Sequence, residues 1–456
     1  MTPDILTELL AVHLAPRLGA VSPAHAWGVF DDGRLVHVRG GGMAEADAAR
    51  TAFRIASCTK SFTAAAALLL AEDGVVDLDE PLADALDVPV RILGPDGPAA
   101  TLRDALTMRA GFPTDDPWGD RQEPLSDAAF AELLARGVRT AWPARARFEY
   151  SNLGYAIVGR ILGVRAGMPY RRFVETRLLE PLGLTGTGFD ASVGNTMTGY
   201  RPGPAGWEPL PFSGPGAFSP IGGLFSTVAD LTRWCGVLSG AIDAGAVLPA
   251  HLVERMRRPA TAIAGDTAGD GAWSAYGLGL MVRADGGGRL FVGHSGGYPG
   301  FTTRMEWEHG SQLGAVVFEN ATYTGLTGLT QAVFSAAFGA PEAMPAEPTP
   351  PAFAPWPETV AAAEAARAAF ASGVLPDAEL LDDCVALDAP LERRAAALAA
   401  LVAGIGGVVT VGDLEHETPA RARWELHGAH GTLRCGILMT PTARPRIQKL
   451  DVAVAD

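Results

Sequence analysis

A proline-rich stretch divides this chain and limits how it can fold. Residues 340–358 read APEAMPAEPTPPAFAPWPE, with seven prolines and no sustained apolar periodicity. Because proline fixes φ and lacks a backbone N–H, such a stretch is typical of a semi-rigid linker or an ordered surface strap. We therefore predict a large domain at 1–339, a linker at 340–358 and a small domain at 359–456.

Strand-like patterns begin and end the large domain, and helical patterns lie between them. The first is a hairpin, in which AWGVF and LVHVRG flank the polar turn DDGR. Further strand-like segments lie near 275–283, 289–294, 301–307 and 313–319. Helix formers dominate SCTKSFTAAAALLLAEDG and the segments near 127–136, 153–163, 169–179 and 227–239. The arrangement predicts an α+β fold, with an antiparallel sheet that joins both ends of the domain and is flanked by helices.

The small domain has patterns of its own. Alanine-rich helices are expected near 359–372 and 390–404, followed by strand-like runs at 407–411, 422–428, 432–439 and 446–454. We predict a small α+β domain. It contains no motif for a nucleophile, a metal or a phosphate, so the sequence leaves its role open.

Composition and charge exclude several classes of protein. A chain with 48% hydrophobic and 19% charged residues is expected to fold rather than stay disordered. The net charge of −15 repels phosphate backbones, so we expect no nucleic-acid partner. The longest apolar run, residues 64–71, is far shorter than the ~20 residues that cross a bilayer, so no membrane association is expected.

The N-terminal segment and the cysteines favour a cytoplasmic protein. The segment contains Asp4 and Glu8 and lacks the basic start of a signal peptide. The four cysteines, at 58, 235, 384 and 435, show no CxxC spacing, which favours reduced thiols over a zinc site. We expect no metal and no other cofactor, and both a monomer and a homo-oligomer stay open.

Lysine is so rare that a motif requiring it carries weight. The chain has only two lysines, Lys60 and Lys449. Lys60 follows Ser57 by three residues at the start of a helical segment, so both side chains share one face. A buried lysine can lose its proton and activate a serine, whereas arginine stays charged. The alternative is a helix-capping serine followed by an exposed lysine.

A second motif, Tyr150-Ser151-Asn152, contains one of only three asparagines. A tyrosine can exchange a proton with a leaving group, and an amide can hold both a lysine and a substrate carbonyl. The alternative is a helix start capped by Ser151 or Asn152.

A third motif, His294-Ser295-Gly296-Gly297, follows the strand-like run RLFVG. Small residues at a strand edge let a substrate lie against the backbone, and glycine supplies an unhindered N–H for an oxyanion hole. The alternative is a glycine-rich turn with an ordinary histidine.

The three motifs in this order resemble the serine β-lactamase and penicillin-binding family, in particular its class C branch. That branch also contains esterases, D-aminopeptidases and D-Ala-D-Ala carboxypeptidases. Five framework segments add to the resemblance over roughly residues 20–335: GVVDLDEPL, ATLRDALTMRAGFP, LEPLGLTGTGF, SPIGGLFSTVADLTRW, and YGLGLMV with GHSGGYPGF. The resemblance implies an antiparallel sheet flanked by helices plus an all-helical lobe, with the active site between them.

The resemblance also implies a role for each matching residue. Ser57 would be the acylated nucleophile, and Lys60 would be its base or proton relay. Tyr150 would activate Ser57 and later the deacylating water, while Asn152 would orient Lys60 and the substrate. The backbone N–H groups of Ser57 and Gly297 would form the oxyanion hole.

The residue at 294 departs from the family pattern, because His294 stands where many relatives have lysine. A largely neutral histidine offers less fixed charge to the carboxylate of a β-lactam or a D-Ala-D-Ala peptide. We therefore expect a hydrolase of carboxylic esters, amides or small peptides. The alternatives are a β-lactamase or D-Ala-D-Ala carboxypeptidase, and a catalytically idle recognition protein.

Four further residues are expected to contact the substrate. Ser295 and Gly296 belong to the third motif, and Tyr298 follows it directly. Trp118 lies in the loop between Phe112 and Leu125, one of several loops that could border the cleft. Ordinary packing of surface loops is the alternative for Trp118 and Tyr298.

Overall fold

The computed structural model describes residues 1–263, 272–339 and 353–455. An antiparallel sheet of eight strands forms the centre of the part before residue 340. The strands before residue 340 are His25–Asp31 (β1), Arg34–Gly41 (β2), Thr51–Arg54 (β3), Ile92–Leu93 (β4), Val138–Arg139 (β5), Asn195–Thr196 (β6), Gly199–Gly203 (β7), Gly206–Leu210 (β8), Phe225–Ser226 (β9), Thr261–Ala262 (β10), Trp273–Tyr276 (β11), Met281–Ala284 (β12), Leu290–Tyr298 (β13), Phe301–Glu308 (β14) and Gly314–Glu319 (β15). The order in the sheet is β10-β11-β12-β13-β14-β15-β1-β2.

The sheet joins the two ends of the larger part, which confirms the prediction. Strand β1 pairs antiparallel with β15, in a register that places His25 opposite Glu319. The hairpin between β1 and β2 turns at Asp32 and Gly33, which have φ of 48° and 71°. Positive φ at both central positions matches the right-handed twist of the strands. The small sheets β6-β3-β9, β4-β5 and β7-β8 lie outside this main sheet.

Twelve helices in the described residues before 340 accompany the sheets. They are Pro3–Leu14 (α1), Thr59–Glu72 (α2), Leu82–Ala85 (α3), Leu102–Leu106 (α4), Trp118–Arg121 (α5), Asp127–Arg136 (α6), Asn152–Arg165 (α7), Tyr170–Val174 (α8), Ser219–Gly222 (α9), Val228–Ser239 (α10), Ala250–Arg257 (α11) and Leu326–Phe338 (α12). Helix α2 is central, since its residues 59–70 are all buried, and α7, α8 and α9 pack on it. A helix that is buried on every side needs the small, apolar residues that the alanine-rich sequence supplies.

The strand predicted near 275–283 is divided in the structure. Strands β11 and β12 are separated by a turn in which Gly279 has φ of 71°. A Cβ atom at this glycine would lie 2.5 Å from the backbone oxygen of Lys60. The turn therefore packs closely against the start of α2, and this contact explains why β11 and β12 replace the single strand that was predicted.

Residues 353–455 form three helices and a five-stranded antiparallel sheet, hereafter the C-terminal module. The elements are Pro357–Ala371 (α13), Asp383–Asp388 (α14), Leu391–Gly404 (α15), Val408–Val411 (β16), Glu415–Thr418 (β17), Arg421–Gly428 (β18), Thr432–Met439 (β19) and Ile447–Val454 (β20). Helix α13 packs on β18 and β19, with the Phe370 and Trp424 rings 5.6 Å apart. Strand β17 and helix α14 are missing from the sequence prediction, which has the other helices and strands of this α+β pattern right.

The module shares its apolar core with the larger part of the chain, because its buried residues belong to the same cluster. Most of the predicted linker, residues 340–352, lies outside the described residues. Among the described helices, none combines the length and the apolar character that crossing a bilayer requires.

Candidate active site

Ser57 lies in a short 3-10 turn, Ala56–Cys58, between the end of strand β3 and the start of helix α2. Ala56 has φ of 47°, a region that residues with a Cβ atom rarely occupy. Such strained backbone persists only where its surroundings hold it, and it is frequent at functional sites. Ser57 is 9% exposed and lines a cleft of about 590 Å³. The turn therefore presents the serine to the cleft at the start of the central helix.

Lys60 lies beneath Ser57 and is fully buried. Its Nζ donates hydrogen bonds to Ser57 Oγ at 3.0 Å, to Asn152 Oδ1 at 2.7 Å and to the backbone oxygen of Ile221 at 2.9 Å. An ammonium group has three donors, and all three are used here. The arrangement fixes the amine at hydrogen-bond distance from the serine, where it can take the serine proton.

Burial lowers the pKa of Lys60 to about 8, because desolvation disfavours the ammonium form. The carboxylates of Asp116, Asp120 and Asp115 oppose this effect. A lysine with a pKa near 8 is neutral in a substantial fraction of molecules at mildly alkaline pH. The amine can therefore act as a general base, as arginine could not.

Tyr150 and Asn152 reach Ser57 and Lys60 from the start of α7. Ser151 caps this helix, since its Oγ accepts from the backbone N–H of Gly154 at 3.2 Å. Tyr150 lines the same cleft as Ser57, and its ring centroid lies 5.0 Å from Lys60 Nζ. Burial raises the pKa of Tyr150 well above its usual value, so the phenol keeps its proton at neutral pH. This protonation favours Tyr150 as a proton relay over a resting phenolate base.

Strand β13 forms the opposite wall of the cleft, where Ser295, Gly296 and Gly297 line it. A Cβ atom at Gly296 would lie 2.4 Å from the backbone oxygen of Ile55, so only glycine lets the strand approach the nucleophile turn this closely. The backbones of Ser57 and Gly297 border the same cleft. The oxyanion hole formed by their N–H groups stays a prediction with which this placement agrees.

His294 lies in the interior beside the site and does not line the cleft. It is 1% exposed, with Nε2 2.9 Å from the Tyr276 hydroxyl and Nδ1 2.6 Å from the backbone oxygen of Ser295. The carbonyl can only accept, so Nδ1 carries the hydrogen and Nε2 accepts from Tyr276. Burial lowers the pKa of His294 to about 3, and the ring is therefore neutral. Its ring centroid is 6.3 Å from that of Tyr150, which favours a role in positioning that residue.

Trp118 and Tyr298, both predicted to contact the substrate, do not line the cleft. Trp118 is 3% exposed and packs edge-on against Phe218 at 5.6 Å. Tyr298 is equally buried, with its hydroxyl 2.9 Å from Ser213 Oγ and its ring 4.0 Å from the Arg54 guanidinium. Their contact with substrate stays a prediction that this placement does not favour, because both rings pack in the core behind the cleft.

Residues 115–120, hereafter the acidic segment, border Lys60 and were not among the site residues predicted from the sequence. Asp116 lines the cleft and accepts a hydrogen bond from Asn152 Nδ2. Asp115 is fully buried and accepts from the backbone N–H groups of Asn152 and Leu153, both at 2.7 Å. Asp120 accepts from the hydroxyl of Tyr323 at 2.8 Å. The signal in the sequence was DDPWGD, but nothing local shows that it meets the lysine.

Burial raises the pKa of each of these carboxyl groups. The pKa of Asp115 rises to about 7, with desolvation as the largest cause and the neighbouring Asp116 as the second. Burial also raises the pKa of Asp116, which Lys60 opposes, and that of Asp120 well above its usual range. In the described part of the chain, no three His, Cys, Asp or Glu side chains are grouped to hold a metal ion. Independently of this, the three carboxyl groups raise the pKa of Lys60 and oppose the effect of its burial.

The remaining cleft residues are apolar or uncharged, and the sequence analysis named none of them. They are Phe148, Ile263, Met281, Thr302, Tyr323, Gly325, Leu326 and Thr327. Tyr323 is 50% exposed and lies across from Gly297, whose added Cβ would be 2.7 Å from its ring. These residues come from five separate parts of the chain, and their sequence carries no motif.

Comparison with known proteins places this site in a family. The β-lactamase family model matches residues 13–338, well over half of the chain. The chain belongs to the β-lactamase family. The match spans all three motifs, so the resemblance inferred from them is confirmed.

This member of the β-lactamase family matches different shares of the length of its curated relatives. D-alanyl-D-alanine-carboxypeptidase/endopeptidase AmpH of Escherichia coli is 27% identical over 283 residues, which are 58% of this chain and 69% of that protein. A human β-lactamase-like protein is 29% identical over 206 residues, 42% of this chain. The chain spans only 39% of the human relative's length.

Solved structures support the fold over most of the chain. The octameric penicillin-binding protein homologue from Pyrococcus abyssi has a TM-score of 0.63 at 19% identity, covering 99% of this chain and 100% of that one. The D-amino acid amidase from Ochrobactrum anthropi SV3 has a TM-score of 0.57 at 23% identity, covering 74% of this chain and 98% of that one. The mixed architecture, including the C-terminal sheet, thus has a counterpart among solved folds.

Proposed function

We propose that this protein is a serine hydrolase that transfers an acyl group from an ester or amide to Ser57 and then to water. The observation that carries the proposal is the 3.0 Å contact between Ser57 Oγ and the buried amine of Lys60. The second contact of that amine, to Asn152 at 2.7 Å, keeps it in place during the reaction. Family membership supports the same reaction class.

Acylation begins when neutral Lys60 takes the proton of Ser57 as its Oγ attacks the substrate carbonyl carbon. The carbonyl oxygen becomes an oxyanion, which the N–H groups of Ser57 and Gly297 stabilise. The bond to the leaving group then breaks. Lys60 returns the proton to that group through the hydroxyl of Tyr150, a residue that lines the same cleft as Ser57 and whose ring lies 5.0 Å from the amine.

Deacylation repeats these steps with water as the nucleophile. Water gives a proton to Lys60 through Tyr150, and its oxygen attacks the acyl carbon. The ester bond to Ser57 breaks, Oγ regains the proton, and the free acid leaves. Because the same two side chains serve both half-reactions, the mechanism needs no separate base for the water.

The charge of the cleft favours substrates without a carboxylate next to the reacting carbonyl. Asp116 lines the cleft, while its lining within the described residues includes no lysine, arginine or histidine. His294 is neutral and buried, so it supplies no positive charge. We propose esters, amides and small peptides as substrates, with amino acid amides that carry a free amine as the first to test. The amidase among the structural neighbours supports this order.

A panel of substrates tests the proposal. It contains p-nitrophenyl esters, D- and L-aminoacyl p-nitroanilides, the same anilides with an N-succinyl group, and nitrocefin. We expect kcat/KM to be highest for uncharged esters or free-amine anilides, lower for the succinylated forms, and negligible with Ser57→Ala. Rapid nitrocefin hydrolysis would instead favour the β-lactamase alternative. Rapid release of D-Ala from a D-Ala-D-Ala peptide would favour the carboxypeptidase.

Labelling by a fluorophosphonate separates an enzyme from an idle recognition protein. We expect one label per chain in the wild-type protein and none in Ser57→Ala. An unlabelled wild-type protein that still binds substrates would support the idle alternative. Absence of both labelling and binding would overturn the proposal altogether.

The location and assembly of the protein are also proposals. All four cysteines are buried and free, which agrees with a reducing compartment such as the cytoplasm. The octameric homologue supports a homo-oligomer. Cell fractionation and light scattering test the two, and a periplasmic or monomeric protein would contradict them.

A further inference from the structure

The C-terminal module contacts the acidic segment of the active site through one buried side chain. Gln448, the second residue of β20, is fully buried. Its Oε1 accepts from the backbone N–H of Trp118 at 3.1 Å. Its Nε2 donates to the backbone oxygen of Thr114 at 3.2 Å and to that of Met439 at 2.8 Å. One amide thus connects the module's sheet to the segment on both sides of Asp115 and Asp116.

The segment held by Gln448 is the one that fixes Asn152. Asp115 accepts from the backbone N–H of Asn152, and Asp116 accepts from its side chain. Gly119 approaches Asn152 so closely that an added Cβ atom would lie 2.6 Å from the Asn152 Cβ. Asn152 in turn accepts the hydrogen bond of Lys60. A displacement of residues 114–119 must therefore displace the amide that holds the catalytic lysine.

An ion pair ties the far end of the same segment to the module. Arg121, the last residue of α5, donates through Nε to Asp388 Oδ1 at 3.0 Å and through Nη2 to the backbone oxygen of Leu387 at 3.2 Å. The side chains of Arg121 and Asp388 are 15% and 18% exposed. Residues 114–121 are thus attached to the module at Thr114, Trp118 and Arg121.

We propose that Gln448 is a positioning residue of the active site, through which the C-terminal module holds Asn152 and Asp116 against Lys60. The module is then a part of the catalytic apparatus, although no atom of Gln448 reaches the cleft. This inference rests on the proposed function of Ser57 and Lys60. It gives a role to a domain whose sequence contains no catalytic motif.

The carboxamide of Gln448 matches the three hydrogen-bonding groups that surround it. A carboxamide combines an acceptor for the Trp118 N–H with two donors for two backbone oxygens. Glutamate would keep the acceptor, lose both donors and bury a charge, and methionine would lose all three hydrogen bonds at similar volume. Gln448→Met therefore removes the attachment while it retains the packing.

The test compares Gln448→Met with Thr359→Val in the full-length protein. Thr359 is also fully buried in the module, but its hydroxyl donates only to the backbone oxygen of Pro419 at 2.8 Å. The second-order rate constant for fluorophosphonate labelling of Ser57 is measured against pH. We expect Gln448→Met to label about tenfold more slowly, because a less firmly held Lys60 amine contributes less to the rate as a general base. Thr359→Val should stay within about twofold of wild type.

The pH profile separates positioning from loss of stability. The titratable groups around the Lys60 amine include Asp115, Asp116, Asp120, Cys58, Tyr150, Tyr155 and His294. If the acidic segment loosens, water enters and relieves the desolvation of Lys60, which is the largest cause of its lowered pKa. The midpoint of labelling therefore moves to higher pH in Gln448→Met and stays in place in Thr359→Val.

The outcomes distinguish the positioning role of Gln448 from the proposed function of Ser57. Wild-type rate and midpoint in folded Gln448→Met would overturn the positioning role, and so would an equal loss in Thr359→Val. If Gln448→Met does not fold, Asp388→Asn weakens the Arg121 attachment instead, and an unchanged midpoint there would overturn the inference. A wild-type protein that is never labelled would overturn the proposed function itself.

Discussion

Replacing Lys60 by arginine keeps the positive charge and removes the base. The buried amine of Lys60 has a pKa of about 8, whereas a guanidinium stays protonated at any working pH. Arginine can still donate to Asn152 Oδ1 and to the backbone oxygen of Ile221, so the variant tests proton transfer with the charge retained. The chain offers a matched control in Lys449→Arg, since Lys449 is its only other lysine and is half exposed.

The size of the effect follows from the protonation state. At pH 8, about half of the Lys60 amines are neutral, whereas the neutral fraction of an arginine is below about one in ten thousand. Because a positioned general base contributes about 10²–10⁴-fold, kcat/KM should fall by that factor, mostly through kcat. Lys449→Arg should stay within about twofold of wild type, because it keeps its charge in contact with Asp451.

The assay is hydrolysis of a p-nitrophenyl ester from pH 6 to 10, with circular dichroism as the check on folding. Below its pKa, Lys60 is an ammonium and cannot accept a proton, so wild-type kcat/KM should rise with pH through a midpoint near 8. The rise should vanish in Lys60→Arg. A folded Lys60→Arg protein with more than about a tenth of wild-type activity would refute the assignment of Lys60 as base. So would a wild-type profile that is flat around pH 8.

Three further predictions concern the same site. Tyr150→Phe removes the hydroxyl proposed to relay the proton, so kcat should fall by about 10²-fold with KM less affected, and unchanged steady-state kinetics would contradict the relay. Gly296→Ala places a Cβ atom 2.4 Å from a backbone oxygen and should cost about 1–3 kcal/mol in urea denaturation, whereas Gly214→Ala, with nothing within 4 Å, should cost less. The pKa of His294 is about 3, so its ¹⁵N ring signals, assigned by their loss in His294→Gln, should not titrate between pH 5 and 8; a midpoint in that range would contradict a neutral, buried ring.

The central constellation could be predicted because its geometry is partly local. Ser57 and Lys60 are three residues apart at one helix start, so their contact follows from the backbone. The contact of Lys60 with Asn152 spans 92 positions of the chain and was implied only by the family resemblance. Scarcity of lysine and asparagine raised the significance of both motifs.

The acidic segment and the Gln448 attachment could not be predicted, because both depend on long-range packing. Asp116 becomes a neighbour of Lys60 only when residues 114–121 fold over the start of α7. Gln448 meets Trp118 across 330 positions, and the strand-like run that contains Gln448 carries no motif that indicates this contact. Trp118 is the opposite case: its place in a loop that could border the cleft predicted a contact with substrate, whereas long-range packing buries its ring against Phe218.

Identification of the residue that carries the acyl group tests the central claim most directly. The protein is quenched in acid during turnover of a slowly deacylated ester, digested and mapped by tandem mass spectrometry. We predict one acyl group per chain, on the Oγ of Ser57, and none in Ser57→Ala. An acyl group on another residue, or turnover in Ser57→Ala at the wild-type rate, would contradict it.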